Sequence, residues 1–193
     1  MIISPSGKTA IIDAGDGKQD ILVPYLLDRG IKTIDYIIIS HFDSDHCNGF
    51  LQVINKLNVK NIVIARQPQI TVEYTNIINI ANARKVPIKI VSKGDRLALG
   101  GGAYIEILYP ASPLQYPDLN DDALVCRLKY NNFSTIFTGD IEKSEKDLMQ
   151  LYPEGELEST ILKVSHHGSK SSSSESFLEA VKPKITLIGV RKE

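Results

Sequence analysis

Three isoleucines, Ile37–Ile39, run straight into Ser40-His41-Phe42-Asp43-Ser44-Asp45-His46. A continuous β-branched run reads as a buried strand. Such a strand ordinarily ends in Gly, Asn or Pro, whereas this one ends in two imidazoles and two carboxylates. In extended backbone, residues 41, 43 and 45 share one side, because the side-chain period is two. A turn through Asn48 and Gly49, both tolerant of left-handed backbone, then brings His46 round to the same point. Adjacent carboxylates repel unless a cation neutralises them, so the pattern points to a divalent metal, or a pair. The competing explanation is a solvated loop in which Asp45 or Asn48 caps the following helix.

The rest of the chain alternates short β-branched runs with helical spacing. Strands are expected at 8–13, 36–40, 59–65, 88–91, 103–109, 123–130, 133–138, 161–164 and 184–190. Helices are expected at 20–29, 50–57, 72–84, 142–151 and 175–181, with Gly30 capping the first and Pro24 in its first turn. Asn131-Asn132 suits a two-residue hairpin turn. The ordering is α/β with mixed sheets. At 193 residues and 42% hydrophobic content, one domain over 1–193 is expected. The 22 basic and 23 acidic residues give no global field that favours nucleic acid. Two cysteines are too few for a disulfide framework. With no run of 18 apolar residues and no charged-then-apolar leader, neither a membrane span nor a secretion signal is expected.

Two further strands end in chemistry. Phe137-Thr138-Gly139-Asp140 delivers an acid where α/β sites gather, the lesser alternative being a turn or cap before the helix from Glu142. Lys163-Val164-Ser165 leads into His166-His167-Gly168, where the glycine leaves room for close approach, then into a serine run that is either a helix cap or a loose loop. All four histidines therefore fall in two strand-end clusters. Asn120 and Asp121 are either supports behind the metal ligands or a simple Asx turn. Cys47 reads as a small buried side chain rather than a thiolate ligand. Gly15-Asp16-Gly17 is no phosphate loop, since no Walker pattern follows.

His41-x-Asp43-x-Asp45-His46 resembles the signature of the metallo-β-lactamase fold superfamily, in its variant with Asp at the second ligand position. With "SPSGKTAIIDAG", "ND", "TGD" and "HHGSKSSSSE", the chain resembles over nearly its whole length the C-terminal domain of the ComEC family of competence DNA-uptake channels. The resemblance implies an αββα sandwich of two mixed sheets flanked by helices. It implies metal ligands at His41, Asp43, Asp45, His46, Asp140 and His167, with His166 on the scissile phosphate and Asp45 also orienting the nucleophile. Two departures are Asn48 for one of two glycines, and Asp122-Ala123 for Asn-Ser after the Asn-Asp pair. The chain also lacks that family's leading strand and its late Gly-His-Pro segment, so a trimmed or reduced form is expected.

The function these readings imply is a two-metal phosphodiesterase or nuclease acting on DNA, single-stranded in particular, through a metal-activated hydroxide. The oxygen-rich ligand set makes Mn²⁺ a competitor to Zn²⁺. From Ile161 onward six Lys/Arg (Lys163, Lys170, Lys182, Lys184, Arg191, Lys192) face three Glu, a local bias compatible with a phosphate backbone. The alternatives are a phosphorylcholine- or nucleotide-type small phosphodiesterase, and a catalytically weak module that binds nucleic acid or a partner. A standalone chain would be cytoplasmic, and a fragment of an uptake channel would be membrane-associated on its extracytoplasmic face, with no membrane contact of its own.

Overall fold

A computed structural model describes residues 1–66, 69–111 and 118–190. They group into two compact units, Met1–Val91 with Leu99–Gly101, and Ser92–Ala98 with the described residues from Gly102 onward. The first comprises β1 (Ile2–Ile3), β2 (Thr9–Ile12), α1 (Leu22–Asp28), β3 (Thr33–Ile34), β4 (Tyr36–Ile39), α2 (Ser44–Cys47), α3 (Gly49–Lys56), β5 (Asn58–Val59), β6 (Ile62–Ala65), α4 (Val72–Ala83) and β7 (Ile88–Val91). Its main sheet has the order β1-β2-β4-β6-β7. Only β1 runs antiparallel there; β2, β4, β6 and β7 are parallel neighbours. Parallel strands lie between covering layers, which is why Ile37–Ile39 and Ile62–Ala65 are apolar at every position and buried throughout. Ile37, Ile39, Ile62 and Ile64 share a core with Val23 and Leu26 of α1, Phe50 and Val53 of α3, and Ile77 of α4.

The strand expected at 59–65 is two strands. Asn58–Val59 pairs with Thr33–Ile34 in a separate two-stranded sheet, while Ile62–Ala65 joins the main one. Asp35 makes the switch possible. Its Oδ1 accepts from Lys60 Nζ at 2.8 Å, its Oδ2 from the Thr9 N–H at 2.9 Å, and its carbonyl from Asn61 Nδ2 at 3.0 Å. Burial works to raise its pKa, but the Lys60 and Thr9 hydrogen bonds and nearby lysine charge leave it lowered overall. Because the folded value lies below the unfolded one, Asp35 contributes stability above the ordinary carboxylate range, lost as pH falls through it. Asp35→Ala strands the buried Thr9 N–H, so a cost of about 2 kcal/mol is expected at pH 7. Denaturant melts at pH 7 and pH 3 check this: the cost should shrink at the lower pH.

The second unit holds β8 (Arg96–Gly100), whose last two residues group with the first unit, β9 (Ala103–Tyr109), β10 (Val125–Tyr130), β11 (Phe133–Phe137), α5 (Glu145–Gln150), β12 (Ile161–Lys163), a 3₁₀ turn (Ser165–Gly168), α6 (Glu175–Val181) and β13 (Ile185–Leu187). Its sheet has the order β13-β12-β11-β10-β9-β8 and is mixed: β10 runs antiparallel to β9 and β11, while β11, β12 and β13 are parallel. Asn131 turns the β10–β11 hairpin at φ +51°, as its residue type predicts. Leu108, Val125, Ile136, Leu148, Leu162 and Phe177 form its core. The expected loop at 110–120 lies partly outside the described residues, as do Arg191 and Lys192. No helix among the described residues is long and apolar enough to cross a membrane.

Candidate metal centre

In the first unit, β2 and β4 are parallel neighbours with Ile12 opposite Ile38, so the residues after each strand emerge side by side. Asp13 follows β2 in left-handed backbone, φ +52°, and Ser40-His41 follows β4. Asp13 Oδ1 accepts the Ser40 N–H at 2.9 Å, and its Oδ2 accepts the Ser40 hydroxyl at 2.8 Å. The same Oδ2 lies 2.9 Å from His46 Nδ1, and Ser40 Oγ lies 2.9 Å from His41 Nδ1. With Ser40 O–H donating to the carboxylate, its oxygen accepts from His41 Nδ1–H, so one carboxylate orients both imidazoles. Burial pushes the Asp13 pKa up, but the His46 hydrogen bond and charge, the Ser40 N–H and His41 together hold it lowered.

Both rings thus turn Nε2 toward Asp43 and Asp45, their centroids 4.2 Å apart. His41 Nε2 lies 3.6 Å from Asp43 Oδ2, and His46 Nε2 lies 4.0 Å from Asp45 Oδ2. The histidines are buried while the two carboxylates are half-exposed. Phe42, between them in sequence, packs the other way into the core, edge-on to Tyr74. Here the expected alternation fails after residue 43: Asp43 is extended, but Ser44–Cys47 is a helical turn, and this turn sets the directions of Asp45 and His46. Nor is the backbone left-handed at 48, where Asn48 has φ −64° and starts α3 without a side-chain cap. Asp43 makes no side-chain cap either.

The donor set fits a divalent ion. His41 is fully buried, and its Nε2 makes no hydrogen bond. A buried nitrogen left that way costs about 1–3 kcal/mol unless its lone pair is used, and metal coordination uses it. Cys47 is fully buried and packs in the core of the first unit, and burial with neighbouring acids pushes its thiol up to about 12.

In the second unit, β11 and β12 are parallel neighbours with Phe137 opposite Lys163, so Asp140 and the His166-His167 pair leave adjacent strand ends. Thr138 Oγ1 donates to the Lys163 carbonyl at 2.8 Å and Ser165 Oγ to the Ile141 carbonyl at 2.6 Å, tying the two loops together. His167 Nε2 lies 3.7 Å and Lys163 Nζ 3.8 Å from the Asp140 carboxylate. His166, His167 and Gly168 are successively left-handed, with φ +43°, +54° and +80°. Two non-glycine residues in that region store strain of order 1–3 kcal/mol each, as recurs at functional sites. Gly168 is required for its φ rather than for space, because an added Cβ would meet Ile188 Cγ2 only at 3.4 Å.

The capping role weighed as an alternative for Asp140 falls to Asp121, whose Oδ1 accepts from the Glu142 N–H, the Ser144 N–H and the Ser144 hydroxyl at 3.0, 3.0 and 3.1 Å. Asp121 thus braces the loop that carries Asp140. Asn120 stays in its own turn, its N–H on Asp118 Oδ1 at 2.8 Å. Four contributors were not singled out from the sequence as site residues: Asp13, Ser40, Glu142 and Lys163. Asp13 and Glu142 each sit at the end of an apolar run or just past a Gly-Asp, the same signal that marked Asp140.

The sequence matches the family described as Metallo-beta-lactamase superfamily over residues 1–190. It is 31% identical over 175 residues to ComE operon protein 3 of Bacillus subtilis (strain 168), covering 90% of this chain and 22% of that one. It is 30% identical over 190 residues to Competence protein ComA of Neisseria gonorrhoeae, covering 97% and 25%. The chain therefore spans about a quarter of the length of these curated relatives. Among solved structures, a diphosphatase from the PhnP family aligns with a TM-score of 0.56 at 16% identity, covering 95% of this chain and 69% of that one. The Rm3 metallo-beta-lactamase aligns at 0.54 and 12%, covering 83% and 68%.

Proposed function

The chain belongs to the metallo-beta-lactamase superfamily, and from that premise we propose that it is a two-metal phosphodiesterase that cleaves DNA. The observation that carries this reading is the pair of imidazoles whose Nδ1 atoms are engaged by the Asp13–Ser40 system while their Nε2 atoms stand beside Asp43 and Asp45. His41, Asp43, Asp45 and His46 of the first unit would hold metal, and the family resemblance assigns the same role to Asp140 and His167 of the second. Bound Mn²⁺ or Zn²⁺ supplies Lewis acidity and makes water easier to deprotonate. Asp45, half-exposed, orients the attacking water. His166 Nε2 meets the phosphoryl oxygens, and Lys163 adds positive charge beside Asp140. Asp43, where an imidazole would be softer, makes the ligand set oxygen-rich and suited to harder ions. DNA as substrate rests on the resemblance of the motifs to the ComEC family of DNA-uptake channels, and similarity to Competence protein ComA is in keeping with it.

The test is to strip the protein with chelator, reload it with Mn²⁺ or Zn²⁺, and offer labelled single-stranded DNA beside a small chromogenic phosphodiester. Metal-dependent DNA cleavage that disappears on chelation is expected. Turnover of the small diester alone would favour a small-substrate enzyme. Failure to take up metal would sink both enzyme readings and leave a binding module.

A further inference from the structure

The serine run after His167 is a built loop, and it leads to a residue with a specific task. Glu145, 2% exposed, accepts the Ser173 N–H at 2.5 Å and the Ser174 N–H at 3.0 Å through its two carboxylate oxygens. Ser172 Oγ donates to the Ser165 carbonyl at 2.9 Å, and Ser174 Oγ caps α6 by accepting the Phe177 N–H. Held on both sides, the loop presents the Ser171 hydroxyl to Glu142 Oε1 at 2.6 Å. His166 Nδ1 reaches the same oxygen, also at 2.6 Å. The Ser171 hydroxyl, then His166, keep the Glu142 pKa below its ordinary value.

The two adjacent histidines are treated differently. His167 gives Nδ1–H to a backbone carbonyl, that of Gly189, at 2.8 Å, and turns Nε2 toward Asp140. His166 instead has a carboxylate on Nδ1, and its ring lies 6.4 Å from that of His167 at 66°. A charge-assisted bond of this length, itself braced by a hydroxyl, fixes both the rotamer and the ring edge presented outward. Left-handed backbone at residue 166 already limits where the ring can go, and Glu142 removes the remaining choice.

We propose, resting on the phosphodiesterase reading above, that Glu142 is the positioning residue for His166, braced by Ser171, so that Nε2 is the ring atom presented to the substrate phosphate. The pair tests separately from metal loading. In metal-free protein, long-range ¹H–¹⁵N spectra of the imidazoles should show His166 as a single species with Nδ1 proton-bearing. Glu142→Ala should convert it to a mixture and leave His41 and His46 unchanged. Glu142→Gln, which keeps an acceptor oxygen, should restore the signature. An unchanged His166 signal in a folded Glu142→Ala protein would overturn the proposal, as would failure of Glu142→Gln to restore it. In metal-loaded enzyme, Glu142→Ala should lower kcat about tenfold with KM within about twofold, and adding it to His166→Ala should cost nothing further. Additive losses in the double variant would also overturn it. If the spectra behave as expected but no phosphodiester is turned over, the positioning stands and the phosphodiesterase reading falls.

Discussion

A Gly49→Ala protein should melt well below the wild type. Gly49 opens α3, and a Cβ there would sit 2.1 Å from the Ala14 carbonyl oxygen and 2.9 Å from the Ala14 carbonyl carbon. No flexible side chain is available to yield, because the obstacle is backbone. That backbone is itself pinned: the Ala14 N–H donates to the His46 carbonyl at 2.8 Å, and the Gly49 N–H to the Gly15 carbonyl at 3.0 Å. Gly17 presses on the same spot, where its own Cβ would meet Asn48 and Gly49 backbone at 3.0 Å. Alanine gains about 1 kcal/mol of helix propensity over glycine, but overpacking against rigid backbone costs about 3 kcal/mol or more. The clash wins, and a fall of about 4–8 °C or more in Tm follows for a chain of this size. Gly189→Ala, with nothing within 4 Å of the new Cβ, serves as the control. Thermal melts by circular dichroism decide the matter, and a Gly49→Ala midpoint equal to the control's would refute the close-approach argument.

This position also shows where local reading stops. The sequence places Asn48-Gly49 in a turn, and a turn suggests left-handed backbone; the structure has Asn48 right-handed and glycine required by Ala14, a residue 35 positions earlier. Elements set by period and punctuation were legible: Ile88–Val91, Ala103–Tyr109 and Glu175–Val181 fall where apolar spacing puts them. The convergence of His41 and His46 with Asp43 and Asp45 was legible too, because imidazoles and carboxylates after an isoleucine run have few structural uses. Partners fixed by strand pairing were not. Asp13 sits in Asp-Ala-Gly-Asp-Gly, a string that reads as an ordinary turn, and only the β2–β4 register brings it to Ser40 and His46. The serine run was read as a helix cap or a loose loop; Ser174 is the cap, while the anchoring of the run by Glu142 and Glu145 was hidden because those partners lie elsewhere in the chain. The single strand expected at 59–65 failed because Asp35 and Lys60 move the chain between two sheets.

Asp13 carries the other large prediction, because one carboxylate orients both rings proposed as metal ligands. Without it, His46 Nδ1 loses its acceptor and Ser40 loses the partner that points its lone pair at His41. Each ring is then free to place its proton on Nε2, which removes the lone pair a metal needs. Loss of one such supporting contact typically weakens metal binding by about 10–100-fold. With both rings released at once, Asp13→Ala should weaken Zn²⁺ or Mn²⁺ binding by about 100-fold or more. Asp13→Asn keeps the size and one acceptor oxygen, so about a tenfold loss is expected. Ser40→Ala releases His41 alone and should fall between wild type and Asp13→Ala. Competition against a chromogenic chelator measures all three, with circular dichroism confirming that each is folded. The order matters more than the absolute values: Asp13→Ala binding metal as tightly as Ser40→Ala would mean that His46 is oriented by something other than this carboxylate, and that the two rings are not coupled through it.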